Sequence, residues 1–381
     1  MGWASWNHYG IHINEKIIKG QGNAIIETGM REAGYNYINI DDGYFGGRNQ
    51  EGKLLINTKK FPSGMKALAK YLHDKGLKAG IYTDAGINTC ASIWDNDTIG
   101  VGMGLYGHEV QDLTLMLKEW NYDFIKVDWC GGKNLGLDDR SRYMMLGKII
   151  YAINPKVNYN ICRWKFPGDW VIYPANSWRI SGDIANNFES VMHIIDQNAN
   201  LWPYSGPGHV NDMDMLKMGR GMTYEEDKTH FSMWCMLNSP LIAGNDLTKI
   251  SRATLEILTN KELIALNQDP LVYQARRVID NGDTEVWAKP LTSTMSGKVA
   301  VALLNRSNKE QIIKFSLEAV GLDSQTAVNI RDLWKHKDLE TRVRKDLSAK
   351  VLPHGTVVLK IKGKALPYNI FQYDSAAFPQ N

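Results

Sequence analysis

Strand-like and helix-like runs alternate about eight times over the first 273 residues, and that alternation narrows the chain to very few folds. The apolar, β-like runs are Gly2–Trp6, Tyr35–Asp42, Leu77–Asp84, Tyr122–Trp129, Val157–Trp164, Trp178–Asp183, Val210–Leu216 and Ser239–Asp246. Helix-like segments lie at Ala24–Ala33, Gly64–Lys75, Tyr106–Trp120, Ser141–Ile153 and Thr223–Leu237. The last opens on Thr223-Tyr224-Glu225-Glu226, a capping-box pattern that fixes its start. Such alternation builds a parallel sheet, either open and doubly wound or closed into a barrel. No Gly-rich dinucleotide fingerprint follows the first strand, and eight units favour closure. Residues 1–273 are therefore expected to form a (β/α)8 TIM barrel.

The pattern changes near residue 274. Thr284–Lys289, Lys298–Asn305, Gln311–Ser316 and Thr356–Ile361 are short, β-branched and separated by turn signals such as Asn281-Gly282 and His354-Gly355. A C-terminal antiparallel β-sandwich over 274–381 follows, with the stretch from Lys364 expected to be a strap or loosely ordered tail.

Composition excludes several classes. Forty-four Lys and Arg against 41 Asp and Glu leave a net charge of +3, too small for a nucleic-acid or anionic-membrane footprint. No apolar run approaches the ~20 residues of a membrane helix. Met1-Gly2-Trp3 begins without a basic-apolar leader, so any secretion signal is expected to be removed or never present. Four cysteines allow one or two bridges but no disulfide-built scaffold.

Active sites of such barrels sit at the C-terminal ends of the strands. Here those ends read Asp41-Asp42, Tyr82-Thr83-Asp84, Lys126-Val127-Asp128-Trp129, Cys162-Arg163-Trp164, Arg179 to Asp183, and Asp212-Met213-Asp214. One Asp at a strand end is usually a cap for the next helix; six ionisable ends converging on one mouth are not. The two-residue strand period puts Lys126 and Asp128 on one side, where the ammonium favours the ionised carboxylate. A carboxylate-rich mouth with aromatics points to glycoside hydrolysis by two carboxyl groups. Metal binding is the rival, through Asp212-Met213-Asp214 and Asp41-Asp42, but the nine histidines show no ligand spacing.

Seven stretches carry a resemblance: GWASWN (2–7), IDDGY (40–44), GLKAGIYTDAG (76–86), KVDWC (126–130), SWRISGD (177–183), NDMDML (211–216) and NSPLIAGND (238–246). In this order they resemble glycoside hydrolase family 27, the α-galactosidase and α-N-acetylgalactosaminidase family. The likeness continues through LTNKELIALNQDP (258–270) and EVWAKPL (285–291).

The resemblance implies a retaining exo-glycosidase acting on terminal α-D-galactosyl residues, with a carbohydrate substrate and no cofactor. Asp128 matches the nucleophile and Asp183 the acid/base. Asp41 and Asp42 match carboxylates that accept from the 4- and 6-hydroxyls. Lys126, Arg179 and Trp164 match further sugar contacts, and Trp6, Met215, Tyr82 and Cys162 match pocket residues. Asp84 has either a binding or a supporting part. Cys90 and Cys130 match a common disulfide, which implies an oxidising, secreted or periplasmic setting. The other bridge of many relatives is lost, because Gly10 and Gly43 stand in its places.

Two departures bear on substrate. Arg163 stands where galactosidases often carry a glutamate; arginine only donates, so it contacts another group, pairs with an acid, or faces solvent. The loop Ala91–Leu105, carrying Trp94, reads as an insertion able to form a wall or an extra subsite. Within the family, β-L-arabinopyranosidase, α-N-acetylgalactosaminidase and isomalto-dextranase activities are the alternatives. A non-catalytic carbohydrate-binding barrel is the alternative from another class.

Overall fold

The computed structural model describes residues 1–343 and 346–372, in two compact units. The first comprises Met1–Asp183, Asp214–Lys217 and Pro240–Ile250. Its main sheet is parallel, and a separate two-stranded ribbon pairs Phe45–Arg48 antiparallel with Leu54–Ile56. We number the barrel strands β1 (Gly2–Ala4), β2 (Tyr37–Ile40), β3 (Lys78–Asp84), β4 (Phe124–Asp128), β5 (Asn158–Ile161), β6 (Ser177–Arg179), β7 (Val210–Asp212) and β8 (Ile242–Ala243). Seven of them belong to this unit, in the order β8-β1-β2-β3-β4-β5-β6, and Leu216 adds a parallel bridge to Ala243. The eighth, β7, clusters with the second unit.

Burial explains why these segments are strands. Ile38, Ile40, Ala79, Ile81, Ile125, Val127, Tyr159, Ile161 and Trp178 are all buried, as expected where helices cover one face and barrel side chains the other. The helices arise where the sequence supplies caps. Asn14 accepts from Ile17 N to open Glu15–Glu27, and Asp138 accepts from Ser141 N to open Asp139–Ile153. The first of these helices starts nine residues before the sequence pattern indicated. Gly20 and Gly22 obscured it, and Gly22 packs its bare Cα against Leu72 and Leu77.

The second unit holds β7, the helices Phe188–Asn198 and Tyr224–Met236, and the C-terminal strands. The capping box at Thr223 and Glu226 is formed as read. A six-stranded antiparallel sheet contains Arg276–Asp280, Thr284–Pro290, Lys298–Asn305, Thr356–Lys362, Ala327–Asp332 and Lys337–Val343, in that spatial order. A two-stranded partner pairs Gln311–Ser316 with Asp346–Val351. Between them lies a core that includes Val286, Val301, Leu303, Phe315, Leu347 and Ile361. The tail expectation is met differently as far as residue 372: Phe371 is buried in this core, and Leu366 N donates to Gly321 O. Its remainder, including Pro379, lies outside the described residues.

Candidate active site

The strand ends of the first unit open onto one cavity of about 630 Å³. Its lining includes Trp6 after β1, Asp41 and Asp42 after β2, Tyr82 on β3, Lys126 and Asp128 on β4, Trp164 after β5, Arg179 on β6, and then Asp183. Met215 and Asp214 complete the far side. Every residue named lies within the first unit.

Lys126 organises the floor. Its Nζ donates to Asp41 Oδ2 at 3.0 Å and stands 3.7 Å from Asp128 Oδ2. Tyr82 lies beside it in register, with the ring centroid 5.3 Å from Nζ. Burial pushes the Asp128 carboxyl up to about 7; Lys126 opposes the shift and Asp41 adds to it. The Lys126 ammonium is raised well above its usual range, because attraction to Asp128 and Asp41 outweighs its own burial. Asp128 Oδ1 accepts no hydrogen bond of normal geometry, and the Cys162 thiol beside it is a donor that favours the charged form.

Asp42 is buried and its carboxyl is likewise pushed up to about 7, chiefly by burial. It accepts from Gly43 N at 2.8 Å and Ala91 N at 3.0 Å, which ties the floor to the loop after β3. Gly43 has φ +105°, and a Cβ there would meet the Ile11 backbone at 2.8 Å. Where many relatives were expected to carry a bridge, this chain brings two backbones together.

Arg179 organises the opposite wall. Its Nη2 reaches Asp183 Oδ1 and Asp214 Oδ2, each at 3.0 Å, and donates to Gly182 O at 2.9 Å. The Asp183 side chain is 65% exposed, whereas that of Asp128 is 6% exposed. One carboxylate faces the mouth and the other sits at the base. Trp164 and Asp214 both adopt left-handed backbone conformations, at φ +60° and +76°. For non-glycine residues such conformations cost on the order of 1–3 kcal/mol each, and they cluster where structure is committed to a site.

Cys90 and Cys130 are joined by a disulfide. The Cys90 sulfur lies 3.2 Å from Asp128 Oδ2; it carries no proton, so this is a contact and not a hydrogen bond. The same bridge accounts for the cluster of Asp84, Cys90 and Cys130, whose ligand-type atoms would otherwise suggest a metal site.

Three sequence candidates do not line the cavity. Asp84 is fully buried behind it and accepts from Gly86 N at 2.6 Å and Gly131 N at 3.0 Å, a supporting position. Cys162 lies beneath Arg179, with Sγ 3.9 Å from Nη1. The Arg163 guanidinium pairs with Asp139 at the start of the preceding helix, Asp139–Ile153, which is the acid-pairing option left open by the sequence. Trp94 does line the cavity. Sequence reasoning passed over Asn7, Asp95, Lys133 and Asn134, which lie in turns and short helices without periodicity. It took Asp214 as a strand-end acid and a possible metal ligand, whereas the structure makes it a counter-ion of Arg179.

Residues 1–269 match the family described as Alpha galactosidase A, and residues 281–361 match the alpha galactosidase C-terminal beta sandwich domain. The chain belongs to the alpha galactosidase A family. The family-27 resemblance read from the motifs therefore stands, as does the barrel followed by a β-sandwich. Members similar to this chain include Alpha-galactosidase A of Cellvibrio japonicus, 42% identical over 95% of this chain and 91% of that protein. Alpha-galactosidase 2 of Arabidopsis thaliana is 42% identical over 93% of this chain and 87% of its own length. Among solved structures, α-galactosidase I of Mortierella vinacea superposes with a TM-score of 0.88 at 32% identity, covering 97% of this chain and 98% of that one.

Proposed function

We propose that this glycoside hydrolase removes terminal α-D-galactosyl residues with retention of configuration. Asp128 is the nucleophile and Asp183 the acid/base. The observation that carries the assignment is the division of environment across one cavity: a buried carboxylate beside Lys126, and an exposed one held by Arg179. In the first step an Asp128 oxygen bonds to the anomeric carbon as the bond to the leaving oxygen breaks. Asp183 gives that oxygen its proton, and an alcohol departs. In the second step Asp183 takes a proton from water, the water oxygen bonds to the anomeric carbon, and Asp128 is released. Asp41 and Asp42, both buried at the base of the cavity, accept from the 4- and 6-hydroxyls. Trp6, Trp164 and Met215 pack against the ring.

A panel of p-nitrophenyl glycosides tests the substrate, and NMR of the first-formed anomer tests retention. Asp128→Ala with azide should release a β-galactosyl azide. Absence of any α-galactoside hydrolysis, or a β-anomer as first product, would overturn the reading.

The same reading divides the chain into a catalytic barrel, 1–273, and a sandwich, 274–381, supported by the two family matches. Limited proteolysis that never cuts between residues 269 and 281 would argue against it. It also assigns the protein to an oxidising compartment, supported by the Cys90–Cys130 bridge. Four reactive thiols in denatured protein from its own host would contradict this. No helix among the described residues is long and apolar enough to cross a membrane.

A further inference from the structure

We infer that Trp94, with Asp95, Lys133 and Asn134, forms a built subsite for the leaving-group sugar, a neutral hexose ring. The inference rests on the galactosidase reading above. Trp94 is 72% exposed although it lines the cavity, so its indole face is open to a ligand. Asp41, Asp42 and Asp128 at the base are buried, whereas Trp94, Asp95, Lys133 and Asn134 are exposed. These four therefore form the outer part of the same cavity, on the side where the leaving group of an exo-acting enzyme must lie. An indole offers stacking to the C–H face of a pyranose, while a carboxylate, an ammonium and an amide offer acceptors and donors to its hydroxyls.

This wall is fixed before ligand arrives. Trp94 ends the short helix Cys90–Trp94, and Lys133 and Asn134 end the short helix Cys130–Asn134. Each helix begins at one half of the disulfide, so the bridge staples the two carriers of the subsite together. The first helix is also tied to the cavity floor, since Cys90 N donates to Tyr82 Oη at 3.1 Å and Ala91 N donates to Asp42.

The inserted loop then folds back: Asp97 N donates to Ala91 O, Gly104 N to Ile87 O at 2.7 Å, and Leu105 N to Asp84 O at 2.9 Å. Arg48 clamps it by donating to Gly102 O and Gly104 O, each at 2.9 Å, while pairing with buried Asp112 at 2.6 Å. A wall held at this many points loses little freedom when a sugar stacks on Trp94.

The test compares kcat/KM for an α-1,6-linked galactosyl-glucose disaccharide with that for methyl α-galactoside, whose aglycone has no ring to stack on Trp94. Trp94→Ala should lower the disaccharide-to-methyl ratio at least about fivefold, and Trp94→Phe, which keeps a ring, should lower it less than about twofold. A Trp94→Ala ratio lowered by less than about fivefold overturns the subsite, as does an equal loss in the Phe variant. Failure of the wild type to hydrolyse methyl α-galactoside would instead strike the galactosidase reading beneath it. Because Trp94 is so exposed, neither variant threatens folding.

Discussion

Lys126 holds its ammonium 3.7 Å from Asp128 Oδ2, yet burial still pushes that carboxyl up to about 7. As the proposed nucleophile, Asp128 works only when ionised, so kcat/KM should fall as pH drops through its pKa in the free enzyme. Removing the cation in Lys126→Met leaves burial and the Asp41 charge opposed chiefly by the Cys162 hydrogen bond, so the acid limb should move up by about one pH unit or more. The profile of kcat/KM against pH checks this. A limb that stays in place or moves down would mean that another group sets it.

Asp42, Asp84 and Asp128 are all pushed from 3.8 to about 7 by burial. Groups raised in this way contribute their full stability below the unfolded value, and the contribution is lost as pH rises through the folded one. These three carboxyls therefore take stability away as pH rises from about 4 to about 7, against the opposite trend of His230, the Met1 amine and Lys289, whose charged forms burial disfavours. Glu262, held down at about 2 by Arg331, titrates below that window. Asp128→Asn removes one buried charge whose Oδ1 has no ordinary partner. At about pH 8 it should melt higher than wild type while losing activity. A lower midpoint for this variant, measured by calorimetry, would contradict the account.

Asp42 sits at the closed end with both oxygens engaged by backbone amides. One added methylene in a filled pocket is felt, so Asp42→Glu should shift preference from α-galactoside towards β-L-arabinopyranoside, which lacks the hydroxymethyl group. The ratio of kcat/KM for the two aryl glycosides reads this out. A wild type that already strongly prefers the arabinopyranoside would remove the reason for choosing galactose.

Arg163 pairs with Asp139 and does not line the cavity. Arg163→Ala should leave kcat/KM on simple and disaccharide substrates within about threefold of wild type. It should lower the thermal midpoint by only ~1–2 °C, since a partly buried acid loses its partner but a loss of about 1 kcal/mol is divided by an unfolding entropy that grows with chain length. A large loss confined to the disaccharide would return Arg163 to the substrate.

The barrel was legible because its strands carry their chemistry at one end. Lys126 and Asp128 are two residues apart on a buried strand, and nothing in packing requires an ammonium and a carboxylate there. Asp41, Asp42, Arg179 and Asp183 were readable for the same reason. Lys133, Asn134 and Asp95 were not, because a five-residue helix has no period to read and its residue types are those of any solvated turn. Arg163 resisted for a different reason: its partner, Asp139, is brought to it by the start of a helix 24 residues earlier in the chain. The early start of helix Glu15–Glu27 was hidden by glycines whose value is close approach, which propensity counts as a fault.

The sulfur that touches the Asp128 carboxylate belongs to a bond that only an oxidising environment makes. A host that keeps thiols reduced would deliver a chain with two unjoined side chains beside Asp128 and two unstapled helices at the cavity mouth. Specific activity would then record where the protein was made as well as what its sequence encodes. Batches from periplasmic and cytoplasmic expression should be compared as two chemical species before any of their kinetic constants are pooled.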